Sequence, residues 1–169
     1  MKRLVLCTDG SSYGLEASRY ACWLAKRTGA SIYGLYVSDL RQFEVPVVAD
    51  ITGSFGVQPY QEISSQLELM EKKRAEAIKQ ATCAIFQSEG LEDRTEFEHH
   101  TGLLVDILKD IQEEEDLIII GKRGENANFD TEHLGSMMER VIRACSVPVW
   151  VTSRKFRPVE KVIFAYDGG

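Results

Sequence analysis

The sequence predicts an α/β domain in which a parallel sheet is covered by helices on both faces. Two observations carry that reading. Short apolar runs alternate with amphipathic helical patterns along the chain, the order that produces strand–helix–strand crossovers. Two of the runs, Leu4-Val5-Leu6-Cys7 and Leu117-Ile118-Ile119-Ile120, are continuously apolar, as strands buried on both sides are. The chain has 169 residues, enough for one domain with a sizeable core and too few for two.

The elements follow in order. Leu4 to Cys7 is a strand that stops at Asp9-Gly10-Ser11-Ser12, where Ser11 or Ser12 can cap the next helix. Ala17, Ala21, Leu24 and Ala25 share one face of that helix, and Gly29 suits the position just past its end. Ile32 to Val37 is the second strand. Residues 38 to 60 contain Pro46, Gly53, Gly56 and Pro59 and show no periodicity; a loop of that length is functional or mobile, here expected as a flap over the site. A long helix follows, with Ile63, Leu67, Met70, Ile78 and Ile85 expected as its buried stripe and Gly90 after its end. Arg94 to His99 alternates weakly, as an edge strand does. Leu104, Ile107, Leu108 and Ile111 mark a third helix, followed by Glu113-Glu114-Glu115, expected as a solvated face without special role. Leu117 to Ile120 is the central apolar strand. A fourth helix has Met137, Met138, Val141 and Ile142 as its expected inner face, and Val147 to Val151 is the last strand of the domain.

Composition narrows the function. Hydrophobic residues make up 44% and charged residues 27%, with a formal net charge of −6. An acidic domain without a basic stripe is a poor nucleic-acid binder. No apolar run approaches the roughly 20 residues that span a bilayer, and the apolar start breaks at Asp9, too early for a signal-peptide core; no membrane partner and a cytoplasmic location are expected. The four cysteines, Cys7, Cys22, Cys83 and Cys145, form no Cys-x-x-Cys pair and are read as reduced thiols, not as zinc ligands or disulfides. His99 and His100 are adjacent on a strand, so they point to opposite faces and do not share a metal. No metal site and no catalytic residue is assigned.

An internal echo shapes the C-terminus. Lys161-Val162-Ile163-Phe164-Ala165-Tyr166-Asp167-Gly168-Gly169 matches Arg3-Leu4-Val5-Leu6-Cys7-Thr8-Asp9-Gly10-Ser11 in its apolar positions and its Asp-Gly. The domain is therefore placed at residues 1–153, with 154–169 as a linker and the first strand of a second, truncated repeat. Burying four such side chains is worth roughly 6–12 kcal/mol as an upper bound, so residues 161–166 are expected to pack on this domain or pair with a partner chain.

The segment that carries chemistry is Gly121-Lys122-Arg123-Gly124, then ten residues, then Gly135-Ser136. It starts at the carboxyl end of a buried strand, where open α/β sheets bind ligands. Its glycines let main-chain N–H groups converge on an anion. Gly135-Ser136 stands where the next helix starts, so unpaired N–H groups and the positive end of the helix dipole face the same place. The pattern fits a phosphate cradle.

Cys7-Thr8-Asp9-Gly10-Ser11, Leu35-Tyr36-Val37, Asp116 to Gly121, Gly135-Ser136 and Pro148-Val149-Trp150-Val151 occur in this order. Together they resemble the universal stress protein family over residues 2 to 152. The resemblance implies an open five-stranded parallel sheet in an α/β/α sandwich, Rossmann-like, and a stress-response or regulatory module. It implies an adenine nucleotide, ATP or AMP, with any divalent cation held mainly by the phosphates. Carried over position by position, Thr8 and Asp9 would sit beside the adenosine, the main chain of Val37 at the adenine edge and Ile120 along the pocket. Gly121, Gly124, Gly135, Ser136 and Met137 would hold phosphates. The ATP-binding branch has nine residues in the second gap; this chain has ten, Glu125 to Leu134, so the loop must bulge or turn differently. The family also implies a homodimer through the last strand, or pairing with a second repeat. No nucleophile with a paired base and no Walker sequence is apparent. A dimerising interaction module and a slow ATP hydrolase are the alternative readings.

Overall fold

The computed structural model describes residues 1–39, 58–124 and 136–165. The expected flap within residues 40–57, the whole ten-residue gap, Gly135 and the end of the repeat echo lie outside them. The strands are β1 (Arg3–Cys7), β2 (Ser31–Ser38), β3 (Thr95–Thr101), β4 (Leu117–Gly121) and β5 (Val149–Thr152), and the α-helices are α1 (Ser12–Thr28), α2 (Gln58–Ser88), α3 (Leu104–Ile111) and α4 (Ser136–Ala144). All pairings are parallel, in the order β3-β2-β1-β4-β5. The chain moves outward from β1 to β3 and then returns to the other side of β1. The order therefore reverses between β1 and β4, and such a switch point opens a crevice at the carboxyl ends of the strands.

Each face of the sheet has its own core. Leu4, Leu6, Ile32 and Ile119 pack with Ala17, Ala21 and Ala25 of α1 and Phe86 of α2. Val5, Leu35, Ile118 and Ile120 pack on the opposite face with Leu108 of α3 and Met138 and Val141 of α4. Small residues on α1 bring that helix close to the sheet. Ser11 caps it by accepting the Gly14 N–H at 3.1 Å, and Gly29 ends it at φ +76°, donating to the Ala25 carbonyl at 2.8 Å. Both ends are as expected, and β3 lies at the sheet edge.

Three expectations are corrected. On α2, where the side chain of Ile63 lies outside the described ones, Ile78 is buried as expected but Met70 is 67% exposed, and the described buried side chains also include Glu71, Ala75, Thr82 and Phe86. The 31-residue helix is about 46 Å long at 1.5 Å per residue. The eight residues of β2 span only about 26 Å, so the part before Glu71 overhangs the sheet. On α4, Met138 and Val141 are buried while Ile142 is exposed; one further residue rotates it about 100° away from the core. The acidic run is not simply a solvated face. Arg3 pairs with both Glu114 and Glu115 at 3.1 Å, and the Glu115 side chain is buried. Burial raises the Glu115 carboxyl above its usual value against the pull of Arg3.

In the C-terminal segment Val162, Ile163 and Phe164 are 85%, 95% and 83% exposed, so of the two expected outcomes, packing on this domain or pairing with a partner chain, burial in this domain's core is not the one seen. A strand with the pattern of β1 needs a neighbour on each side and cover on both faces. In this sheet β1 already fills that slot, paired with β2 and β4.

Candidate functional site

The site is built where β1 and β4 end side by side, Cys7 in register with Ile120. After Cys7 the chain turns sharply. Thr8 is buried, and its N–H donates to the Leu35 carbonyl at 3.0 Å. Its hydroxyl accepts the Gly10 N–H at 3.3 Å, and Gly10 adopts φ +74°. Asp9 accepts the Ser11 N–H on Oδ1 at 3.0 Å. These bonds fix the turn before α1 begins.

The glycines show how tightly the two loops are brought together. A Cβ on Gly124 would stand 2.7 Å from Oδ2 of Asp9, and a Cβ on Gly121 would stand 3.0 Å from Tyr13 and 3.1 Å from its main chain. A Cβ on Gly14 would lie 2.6 Å from the Thr8 hydroxyl oxygen and 2.9 Å from Oδ1 of Asp9. The carboxylate of Asp9 thus fits between the first turn of α1 and the loop after β4, at a distance no larger residue allows. On the far side of that loop, the Lys122 N–H donates to the Thr152 carbonyl at 3.2 Å. The Thr152 hydroxyl donates to the Ile120 carbonyl at 3.4 Å. The start of the glycine loop is held from both sides.

Of the expected site residues, the structure brings together Thr8, Asp9, Ile120, Gly121 and Gly124. Val37 is half-buried near the end of β2, the strand next to β1. Met137 is half-buried in the first turn of α4. Ser136 opens α4, and Gly135 lies outside the described residues. Sequence reasoning missed Gly14, although a glycine in the first turns of a predicted helix was a usable signal. It also missed Tyr13 and Arg74, for which the sequence held none. Arg74, Ala77, Ile78 and Ala81 of α2 face Asp9, Gly10 and Ser11 across a cleft of about 260 Å³.

The histidines diverge as expected. His99 stacks on Tyr36 at 5.1 Å between ring centroids, while His100 lies against Glu98 at 2.9 Å on the other face. The structure does pair a serine with an imidazole, Ser38 Oγ with His99 Nε2 at 2.8 Å, a contact not apparent in the sequence. Ser38 is buried, and burial holds His99 below its usual pKa. Among the described residues no cluster of three or more His, Cys, Asp or Glu is arranged for a metal. All four cysteines are free thiols. No helix among the described residues is long and apolar enough to cross a membrane.

The family model described as the universal stress protein family matches residues 1–153. The chain belongs to the universal stress protein family. A universal stress protein of Synechocystis sp. is 39% identical over 175 residues, covering 99% of this chain and 61% of that protein. This universal stress domain therefore spans less than two thirds of that relative's length. A universal stress protein of Methanocaldococcus jannaschii is 31% identical over 155 residues, covering 90% of this chain and 82% of its own. Among solved structures, the hypothetical protein MJ0577 aligns with a TM-score of 0.68 at 23% identity, over 92% of this chain and 98% of that one. A universal stress protein in complex with cAMP aligns at 0.61 and 18% identity, over 91% and 98%. The universal stress protein from Archaeoglobus fulgidus in complex with dAMP aligns at 0.50 and 19%, over 89% and 96%. These likenesses agree with the five-stranded parallel α/β/α sheet seen here.

Proposed function

We propose that this universal stress domain is a stress-response regulatory module that binds an adenine nucleotide, ATP or AMP, at the carboxyl ends of β1 and β4. The observation that carries the reading is the approach of Asp9 to Gly124, where a Cβ would stand 2.7 Å from the carboxylate. Two loops meet at the switch point with the half-buried Asp9 carboxylate between them. Asp9 accepts the ribose hydroxyls, with Thr8 and Ile120 beside it and the main chain of Val37 at the adenine edge. Gly121, Gly124, Gly135, Ser136 and Met137 receive the phosphates, which hold any divalent cation. The cAMP and dAMP complexes of structural neighbours support this choice of ligand. The compartment is the cytoplasm, in keeping with four free thiols.

Equilibrium dialysis with ATP and with AMP tests the reading. Micromolar-range binding is expected, and Gly124→Val, which drives a branched side chain into Asp9, lowers the affinity at least tenfold while the fold is kept. No binding by the folded protein at millimolar ATP or AMP would leave the interaction module as the better reading. The exposed Val162 and Ile163 favour a second element of the proposal: residues 161–169 begin a second repeat, in which this segment forms the first strand.

A further inference from the structure

Ser153, the last residue of the expected domain, and residues 154–157 of the expected linker are clasped onto α1. The Tyr20 hydroxyl meets Ser153 Oγ at 2.7 Å, donates to the Lys155 carbonyl at 3.1 Å and accepts the Arg157 N–H at 3.2 Å. The Phe156 N–H donates to Glu16 at 2.6 Å. The Phe156 ring packs edge-on against Tyr20 at 4.9 Å, and Tyr20 in turn touches Trp150 at 5.6 Å. Tyr20 itself is buried. A tether between mobile units needs none of these bonds, and a buried hydroxyl with three partners is not left unmade without cost.

The clasp is attached to the two elements that frame the glycine loop. Thr152, the residue before it, holds Lys122 and Ile120 through the bonds given above. Helix α1 carries Glu16 and Tyr20 on the same short rod whose start, Tyr13 and Gly14, presses on Gly121, Thr8 and Asp9. The distance from Tyr13 to Tyr20 is about two helical turns. A ligand that fixes Asp9 and the glycine loop therefore also fixes both anchors of residues 153–157.

We propose that the segment 153–157 is the output element of the nucleotide site. Nucleotide binding favours the clasped state, and the clasp sets where the segment after it, with the exposed Val162 and Ile163, is presented to the second repeat. Tyr20 and Phe156 are positioning residues in this scheme. The proposal rests on the nucleotide reading above. Linkage requires that what ATP does to the clasp, the clasp does to ATP by the same factor.

The test uses the whole chain with Mg-ATP as the probe. Hydrogen exchange at the Phe156 and Arg157 amides is followed with and without ATP, and the ATP affinity of Tyr20→Phe and Phe156→Ala is measured beside their melting temperatures. Exchange at both amides is expected to slow about fivefold at saturation, and each variant to bind ATP about fivefold more weakly, with melting within a few degrees of the parent. Phe156→Ala lies outside the α/β core, so it reports even where Tyr20→Phe perturbs α1. Unchanged exchange at Phe156 and Arg157, with equal ATP affinity in all three proteins, overturns the coupling but leaves the nucleotide site standing. Absence of ATP binding in the parent removes the nucleotide reading, and the coupling falls with it.

Discussion

Gly10 is held by two constraints at once. Its φ of +74° lies in the left-handed region, and a Cβ there would meet Cγ1 of Ile78 at 2.6 Å. Gly10→Ala is expected to destabilise the domain by about 1–3 kcal/mol, read as a lower urea midpoint at unchanged slope; an unchanged midpoint would contradict the strain. At the opposite end of the strands, Asp116 accepts the main-chain N–H groups of Lys2 and Arg3, tying the start of β1 to β4. These bonds, that of Lys2 first, hold its carboxyl below the usual 3.8. A folded-state pKa below the unfolded one gives stability that is full above the unfolded value and lost as pH falls through the folded one. The parent is therefore expected to be more stable than Asp116→Asn at pH 7, with the gap closing as pH drops below about 3.8. A gap that stays constant down to pH 2 would refute the assignment.

Helix α2 shows how an element is read in part. Its existence and its end were legible from periodicity and Gly90, but the stripe was drawn from its large apolar residues. The overhang exposes Leu69 and Met70, while Phe86 is almost fully buried among Leu4, Leu6, Ile32 and Leu91. Phe86→Ala is expected to cost about 3–5 kcal/mol, whereas Met70→Ala stays within about 0.5 kcal/mol. Equal effects in denaturant titrations would mean that the first half of the helix is also packed. The acidic run after α3 taught the converse. Three consecutive glutamates look alike in sequence, yet the backbone turn there buries one beside Arg3 and leaves its neighbour in water.

At the scale of the whole molecule, the exposed tail and the clasp set this domain's relation to what surrounds it. Val162, Ile163 and Phe164 contribute nothing to the core, so replacing all three by serine is expected to leave the melting temperature within about 2 °C. The same change should reduce any concentration-dependent self-association seen by sedimentation. A large loss of stability would show that the tail packs on the domain in solution. β1 already holds the central position of the sheet, and residues 153–157 before the tail are bonded to α1.

The sequence by itself determined the strand and helix order, the capped start of α1, the doubly buried β1 and β4, the edge position of β3 and the two loops that carry the site. Those follow from local rules: burial on both faces shows as a continuous apolar run, and a cap shows as a residue type at a fixed place. The tertiary structure decided what depends on distance between remote segments. It placed Asp9 against Gly124 and Gly14, chose which glutamate is buried, paired Ser38 with His99, and bonded residues 154–157 of the expected linker to α1. Partners such as Ser38 and His99, 61 residues apart, or Tyr20 and Ser153, 133 apart, are set by the tertiary fold, and nothing in the local pattern records them.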